Sequence, residues 1–298
     1  MLKKLQHAQN PSNQQPEGVP ALPPFRSGYQ LSQTTNQLLP PPYNPNIAPP
    51  SYNPNTAPKQ TQNTSQQNLE SMLYILAQYN IMVILDDSGS MSLDGMTKNV
   101  SRWEESLEAI SMLLDYGTKF DTDGIEVYFL NNPNELSIMP NQSVLSEIEK
   151  YHITPSGATP LGAKLHSVFS RFISVLRECK RKNEHVKPIN LIVITDGEPS
   201  DKPLVKTAIV NFVRELMSLG YDPSEYAGIQ FFQVGTDKNA QAYLQSLDDD
   251  LHKEAHIPDI VDCTCFNSND ATPLRYTISK TLLGAVVKSV DNDNYKPH

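Results

Sequence analysis

From Ile81 onward, short β-branched and apolar runs alternate with stretches whose apolar residues recur at helical spacing. This is the pattern of parallel βα units. It predicts strands at Ile81–Leu85, Ile125–Leu130, Asn190–Thr195 and Ile229–Val234, a short edge segment at Glu135–Met139 and a last strand at Ile260–Cys265. The runs Ile-Met-Val-Ile-Leu and Leu-Ile-Val-Ile-Thr have no polar face, so they belong mid-sheet with helices covering both sides. Trp103, Leu107, Ile110 and Leu114 recur at i, i+4, i+7, i+11, as do Leu161, Leu165, Val168 and Phe172, each set forming one helical stripe. Further helices are expected at about Leu204–Leu219 and Ala240–Leu247, with a final one carrying Leu274, Ile278 and Leu282, and Leu69–Gln78 opening the domain. The sum is an α/β fold: a doubly wound, Rossmann-like sheet, mostly parallel with one antiparallel edge strand.

Residues 1–68 follow neither period. Thirteen of the 24 prolines precede Ser71, with 20 Asn and Gln side chains in the same stretch. So little Val, Ile and Leu cannot offset the entropy of ordering, which predicts a disordered tail before a folded domain at 69–298. The tail carries four Lys/Arg and one Glu, or +3; subtracted from the whole-chain −9 this leaves −12 on residues 69–298. An acidic domain disfavours nucleic acid and anionic membrane as partners. The N-terminus lacks the apolar core of a secretory signal, and no apolar run is long enough to span a bilayer. Three cysteines, Cys179, Cys263 and Cys265, are too few for a disulfide scaffold. These features point to the cytoplasm, where the sequons at Asn63, Asn99 and Asn141 would not be glycosylated.

Within the tail, Pro41–Pro49 and Pro50–Pro58 form a tandem nine-residue repeat, each copy overlapping a Pro-Pro-x-Tyr tetrapeptide: Pro40, Pro41 and Tyr43 in the first, Pro49, Pro50 and Tyr52 in the second. Proline favours an extended helix that loses little entropy on docking into an aromatic groove. The tetrapeptides resemble ligands of WW domains, including those of HECT-type ubiquitin ligases. Two copies at fixed spacing raise effective concentration for a tandem-WW partner; the alternative is a low-complexity spacer.

Chemistry concentrates at the strand ends. The first strand runs into Asp86-Asp87-Ser88-Gly89-Ser90, and the strand ending at Thr195 continues as Asp196-Gly197. Between them Pro155–Gly162 presents Thr159 at a helix start. Ligands in such folds collect at the carboxyl ends of the strands. Two carboxylates, Asp86 and Asp196, and three hydroxyls, Ser88, Ser90 and Thr159, with no Lys or Arg in these segments, form a hard-oxygen set that selects Mg²⁺, Ca²⁺ or Mn²⁺ over zinc.

On these residues the chain resembles the von Willebrand factor type A domain over essentially all of 69–298, with the intracellular, copine-like members nearest in flavour. The family's metal-ion-dependent adhesion site has the pattern Asp-x-Ser-x-Ser with a distant Thr and a distant Asp, matched by Asp86, Ser88, Ser90, Thr159 and Asp196. The resemblance implies Mg²⁺, with Mn²⁺ or Ca²⁺ as alternatives, touched directly or through water by the serines and threonine, with the aspartates usually acting through water. A cation held that way keeps an open position for a carboxylate from a partner protein. The expected function is a metal-dependent protein-binding adaptor, not an enzyme, with the tail recruiting WW-domain proteins. The alternatives are a structural subunit of a larger complex with the tail as spacer, and a metal-dependent enzyme.

Other features invite plainer readings. Asp87, Asp94, Glu198 and Asp201 rim the same end, either as a second ion site or as solvated loop acids. Asp121-Thr122-Asp123-Gly124 starts like a calcium loop, but Asn132 stands where a bidentate Glu is needed. His252 and His256 lie at i, i+4, but their intervening Glu254 is out of place for a zincin and Pro258 follows, so a surface turn is expected. Cys263 and Cys265 share a strand face with Val261, the ordinary place of buried cysteine, and Cys179 falls on the apolar stripe of a helix. No glycine-rich phosphate loop accompanies the sheet.

Overall fold

The computed structural model describes residues 73–97, 99–119, 124–265 and 280–284. The Pro-Pro-x-Tyr tetrapeptides, the Asp121–Asp123 segment and most of the expected last helix lie outside the described residues. The strands are β1 (Asn80–Leu85), β2 (Ile125–Phe129), β3 (Leu136–Ile138), β4 (Ile189–Thr195), β5 (Ala227–Gln233) and β6 (Val261–Cys265). The helices are α1 (Arg102–Gly117), α2 (Val144–Lys150), α3 (Leu161–Lys182), α4 (Lys202–Ser218), α5 (Pro223–Tyr226), α6 (Lys238–Asp249) and α7 (Leu251–Ala255). One sheet has the order β3-β2-β1-β4-β5-β6, with β3 antiparallel to β2 and the other pairs parallel. Chain order reverses between β1 and β4, which opens a crevice beyond their carboxyl ends.

All seven residues of β4 and of β5 are buried, as two covered faces require. On one face Ile81, Val83 and Leu85 join Ile192, Ile194 and Phe232, packed under α1, α2 and Leu282–Leu283. Met82, Ile84, Leu191 and Val193 alternate to the other face, covered by the apolar stripes of α3 and α4. Those helices lock together through Phe169 and Phe212, stacked at 4.1 Å and 5°, with Phe172 edge-on to Phe212 at 6.2 Å. Truncating a buried phenylalanine of this kind costs about 3–5 kcal/mol.

Where the chain departs from expectation the causes are local. Leu73–Gln78 is a 3₁₀ helix. Helix α2 has only Val144 and Ile148 buried, at i, i+4, too little periodicity to announce itself; Ser143 caps it by accepting Ser146 N–H. The His252 region is not a turn but the short helix α7, ended by His256 at φ 53°. In β6 Val261 is buried as expected, but the polar residues Asp262 and Thr264 are buried as well and Cys263 is only half-buried. The buried side belongs to a polar cluster: Asn190 donates to Leu282 O at 2.7 Å and Gln230 to Thr264 Oγ1 at 3.2 Å. Gly284 lies so close that a Cβ there would collide with Asp262 and Gln230. Cys179 is buried on α3 as expected. No helix among the described residues is long and apolar enough to cross a membrane.

Candidate functional site

Strand β1 extends by one more ladder bond, from Asp86 N–H to Ile194 O at 2.9 Å, and then turns through the 3₁₀ segment Gly89–Ser92. Asp86 is fully buried. One of its oxygens accepts Ser88 N–H at 2.8 Å, the other the Thr195 hydroxyl at 2.6 Å. Burial holds its pKa up, at about 6, the nearby charge of Asp196 adding to the rise while the bonds from Thr195 and Ser88 oppose it. Thr195 had no place in the expected site. The signal was available: Leu85 pairs with Ile194, so the next residue of each strand meets its counterpart across the crevice.

Four of the five expected residues form one hydrogen-bonded cluster. The Ser88 and Ser90 hydroxyls are 3.0 Å apart, and Ser90 Oγ donates to Asp196 Oδ1 at 2.9 Å. Thr159 arrives from the other side on the Pro155–Pro160 loop. Ser156 N–H donates to Asp87 O at 2.7 Å and Gly89 N–H to Gly157 O at 3.0 Å, tying that loop to the β1 turn, while Ser200 N–H donates to Thr159 O at 3.0 Å. Gly157 sits at φ +84°, and a Cβ there would press on the Asn131 amide. Thr159 is half-buried, and no hydrogen bond joins its hydroxyl to the other four among the described residues.

A cation already stands in this oxygen cluster, which the strand-end segments did not suggest. Arg102 Nη1 lies 2.7 Å from Asp196 Oδ2, so both oxygens of that carboxylate are engaged. The arginine is delivered by an excursion of the chain. Asp94 and Ser101 form an antiparallel bridge, Gly95 N–H donates to Val100 O at 2.7 Å, and Arg102 N–H donates to Leu93 O at 3.0 Å. Ser101 and Glu104 then close a reciprocal capping box, Glu104 N–H to Ser101 Oγ at 3.2 Å and Ser101 N–H to Glu104 Oε2 at 2.7 Å. Ser-Arg-Trp-Glu is legible as that cap, but its geometry, not its sequence, aims the arginine.

The rim acids are not all solvated. Asp87 is buried and accepts Asn131 N–H and Asn132 N–H, each at 2.8 Å, clamping the β2–β3 connection to β1. Asp201 takes Gly162 N–H and Ala163 N–H, both at 2.9 Å, and so caps α3 from the start of α4. A Cβ on Gly162 would strike the Leu204–Val205 backbone, which is why the helices approach so closely there. Glu198 pairs with Lys202, and Asp94 is exposed on the excursion.

The donor set suits a hard cation: two carboxylates and hydroxyl oxygens, with no imidazole or thiol in the cluster among the described residues. No group of three His, Cys, Asp or Glu side chains is poised to hold a metal among the described residues.

No family model matches the chain, and no curated protein sequence matches it. Among solved structures it is similar to the manganese-loaded TRAP protein of Plasmodium vivax, at 16% identity and a TM-score of 0.37, covering 66% of this chain and 72% of that one. It is also similar to the RO (RSR) protein of Deinococcus radiodurans, at 15% identity and a TM-score of 0.36, covering 68% of this chain and 34% of that one. Likenesses this loose carry no argument about function.

Proposed function

We propose that the domain is a metal-dependent protein-binding module of the von Willebrand factor type A kind, in which Asp86, Ser88, Ser90, Thr159 and Asp196 hold a divalent cation, Mg²⁺ in the first instance, that receives a carboxylate from a client protein. The observation that carries the reading is the meeting of Asp86, Ser88, Ser90 and Asp196 at the carboxyl ends of β1 and β4, where strand order reverses, with the Thr159 loop tied to the same turn. The cation, when bound, supplies a Lewis-acidic anchor for an anionic group. The protein's part is to orient it: Ser88 N–H and Thr195 Oγ1 fix Asp86, and Ser90 fixes Asp196. A small, strongly hydrated ion with few direct ligands suits so sparse a set of carboxylates.

The reading is of a binding module and not an enzyme. Asp86 is turned to Ser88 N–H and Thr195 Oγ1, and among the described residues no imidazole joins the cluster to pass a proton on. The tail's two Pro-Pro-x-Tyr segments, at Pro40, Pro41 and Tyr43 and at Pro49, Pro50 and Tyr52, complete a bivalent adaptor: the domain holds the client, and the tail brings a WW-domain protein within reach in the cytoplasm. Lysate capture tests both halves. Client capture is expected to be lost with EDTA and in Asp86→Ala, while capture of a tandem WW domain survives both; a client set indifferent to chelator contradicts the reading.

A further inference from the structure

We infer that Arg102 is a built-in counter-ion of the β1–β4 crevice, and that it sets how tightly the site holds a divalent cation. The inference rests on the reading of the crevice as a cation site and names its regulator. Arg102 and Asp196 are 2.7 Å apart, with side chains 18% and 0% exposed, so their attraction is little screened by water or salt. The other oxygen of Asp196 accepts Ser90, which in turn meets Ser88; the guanidinium is therefore two hydrogen bonds from the Ser90 hydroxyl and three from that of Ser88, both proposed as ligands.

Three separate features put the arginine there. The Asp94–Ser101 bridge and the Ser101–Glu104 cap fix the start of α1. Gly235, at φ +76° just beyond β5, leaves the path open: a Cβ there would stand 3.1 Å from Arg102 Nε and 3.3 Å from its Cδ. Arg102 Nε is buried and has no hydrogen-bond partner among the described residues. A cation in the first turn opposes the helix dipole, and a buried Nε left without an acceptor is costly; what offsets both is the bond to Asp196.

The electrostatic consequence follows directly. One of the two carboxylates is neutralised in advance, and a fixed positive charge repels any second cation brought beside it. The metal-free domain thus carries its own charge balance, and a metal ion binds more weakly than the oxygen set alone would allow. Without the arginine, Asp196 has no cationic partner but the metal among the described residues.

Calorimetric titration of the full chain with Mn²⁺ tests this, using wild type, Arg102→Gln, Arg102→Lys and, as a control losing one surface cation, Arg177→Gln from the exposed Arg177–Glu215 pair. Each protein is purified with Mn²⁺ present and then stripped by chelation. Arg102→Gln is expected to bind Mn²⁺ at least about tenfold more tightly than wild type. Its metal-free melting temperature should fall and recover with saturating Mn²⁺. Arg102→Lys should stay within about threefold of wild type, and Arg177→Gln should match it. Arg102→Met, which keeps the apolar stem beside Gly235, gives the same reading should the glutamine variant not fold. Equal affinity in wild type and Arg102→Gln overturns the inference while leaving the cation site intact; weaker binding by Arg102→Gln does the same and makes Arg102 a positioning residue for Asp196. Binding by Arg102→Gln alone supports it. If no variant binds Mn²⁺, the cation reading of the crevice fails and the inference with it.

Discussion

Two buried carboxylates face one crevice from neighbouring strands, and the chain treats them differently. Asp86, at the end of β1, is held by an amide and a hydroxyl, and burial raises its pKa to about 6. Asp196, at the end of β4, is held by a serine and an arginine. The difference teaches that a polar pocket's charge cannot be counted from its motif. The motif supplies two acids of equal standing; the fold gives one neutral donors and the other an arginine.

The comparison can be broken by removing each acid in turn. Asp196→Ala strands the Arg102 guanidinium and should destabilise the metal-free domain by about 3 kcal/mol, read by urea unfolding in EDTA; a loss no larger than that of Asp86→Ala would erase the distinction. Acidification sharpens it next. Because the pKa of Asp86 in the folded state lies above that of an unfolded aspartate, the native state binds this proton more tightly. Its contribution to metal-free stability therefore grows as pH falls from about 6 to about 4, on the order of 1–3 kcal/mol, and Asp86→Asn should lose that part of the pH dependence. Asp201→Ala leaves both acids in place and removes only the cap on α3, so it should cost about 1 kcal/mol with Mn²⁺ affinity unchanged; a large change in affinity would make Asp201 part of the site. Tyr43→Ala with Tyr52→Ala should have the smallest effect on the domain, none on melting temperature or metal binding, while a tandem WW domain loses its grip on the tail. Retained WW binding would make the tail a spacer.

Much of this architecture was legible in the sequence because a sheet covered on both faces writes itself as uninterrupted apolar runs; all seven residues of Ile189–Thr195 are buried. The cluster of Asp86, Ser88, Ser90 and Asp196 was legible for a related reason, since polar residues directly after such runs stand at the strand ends. What escaped the sequence depends on contacts across the chain. Arg102 reaches Asp196 from 94 residues away, through an excursion closed by a bridge and a cap. Asp87 and Asp201 read as rim acids, but are turned to backbone amides of other segments. Asp262 and Thr264 read as an outward face because what meets them, Gly284 of the helical segment 280–284 and Gln230, comes from distant positions.

The proposed function stands on a cation site centred on Asp86 in the β1–β4 crevice. Its most direct test is calorimetric titration of the metal-stripped chain with Mn²⁺ and Mg²⁺ near pH 7.5, wild type beside Asp86→Ala. The account predicts one saturable site in the wild type and none in the variant. No heat of binding in the wild type, or equal binding in the folded variant, would contradict it.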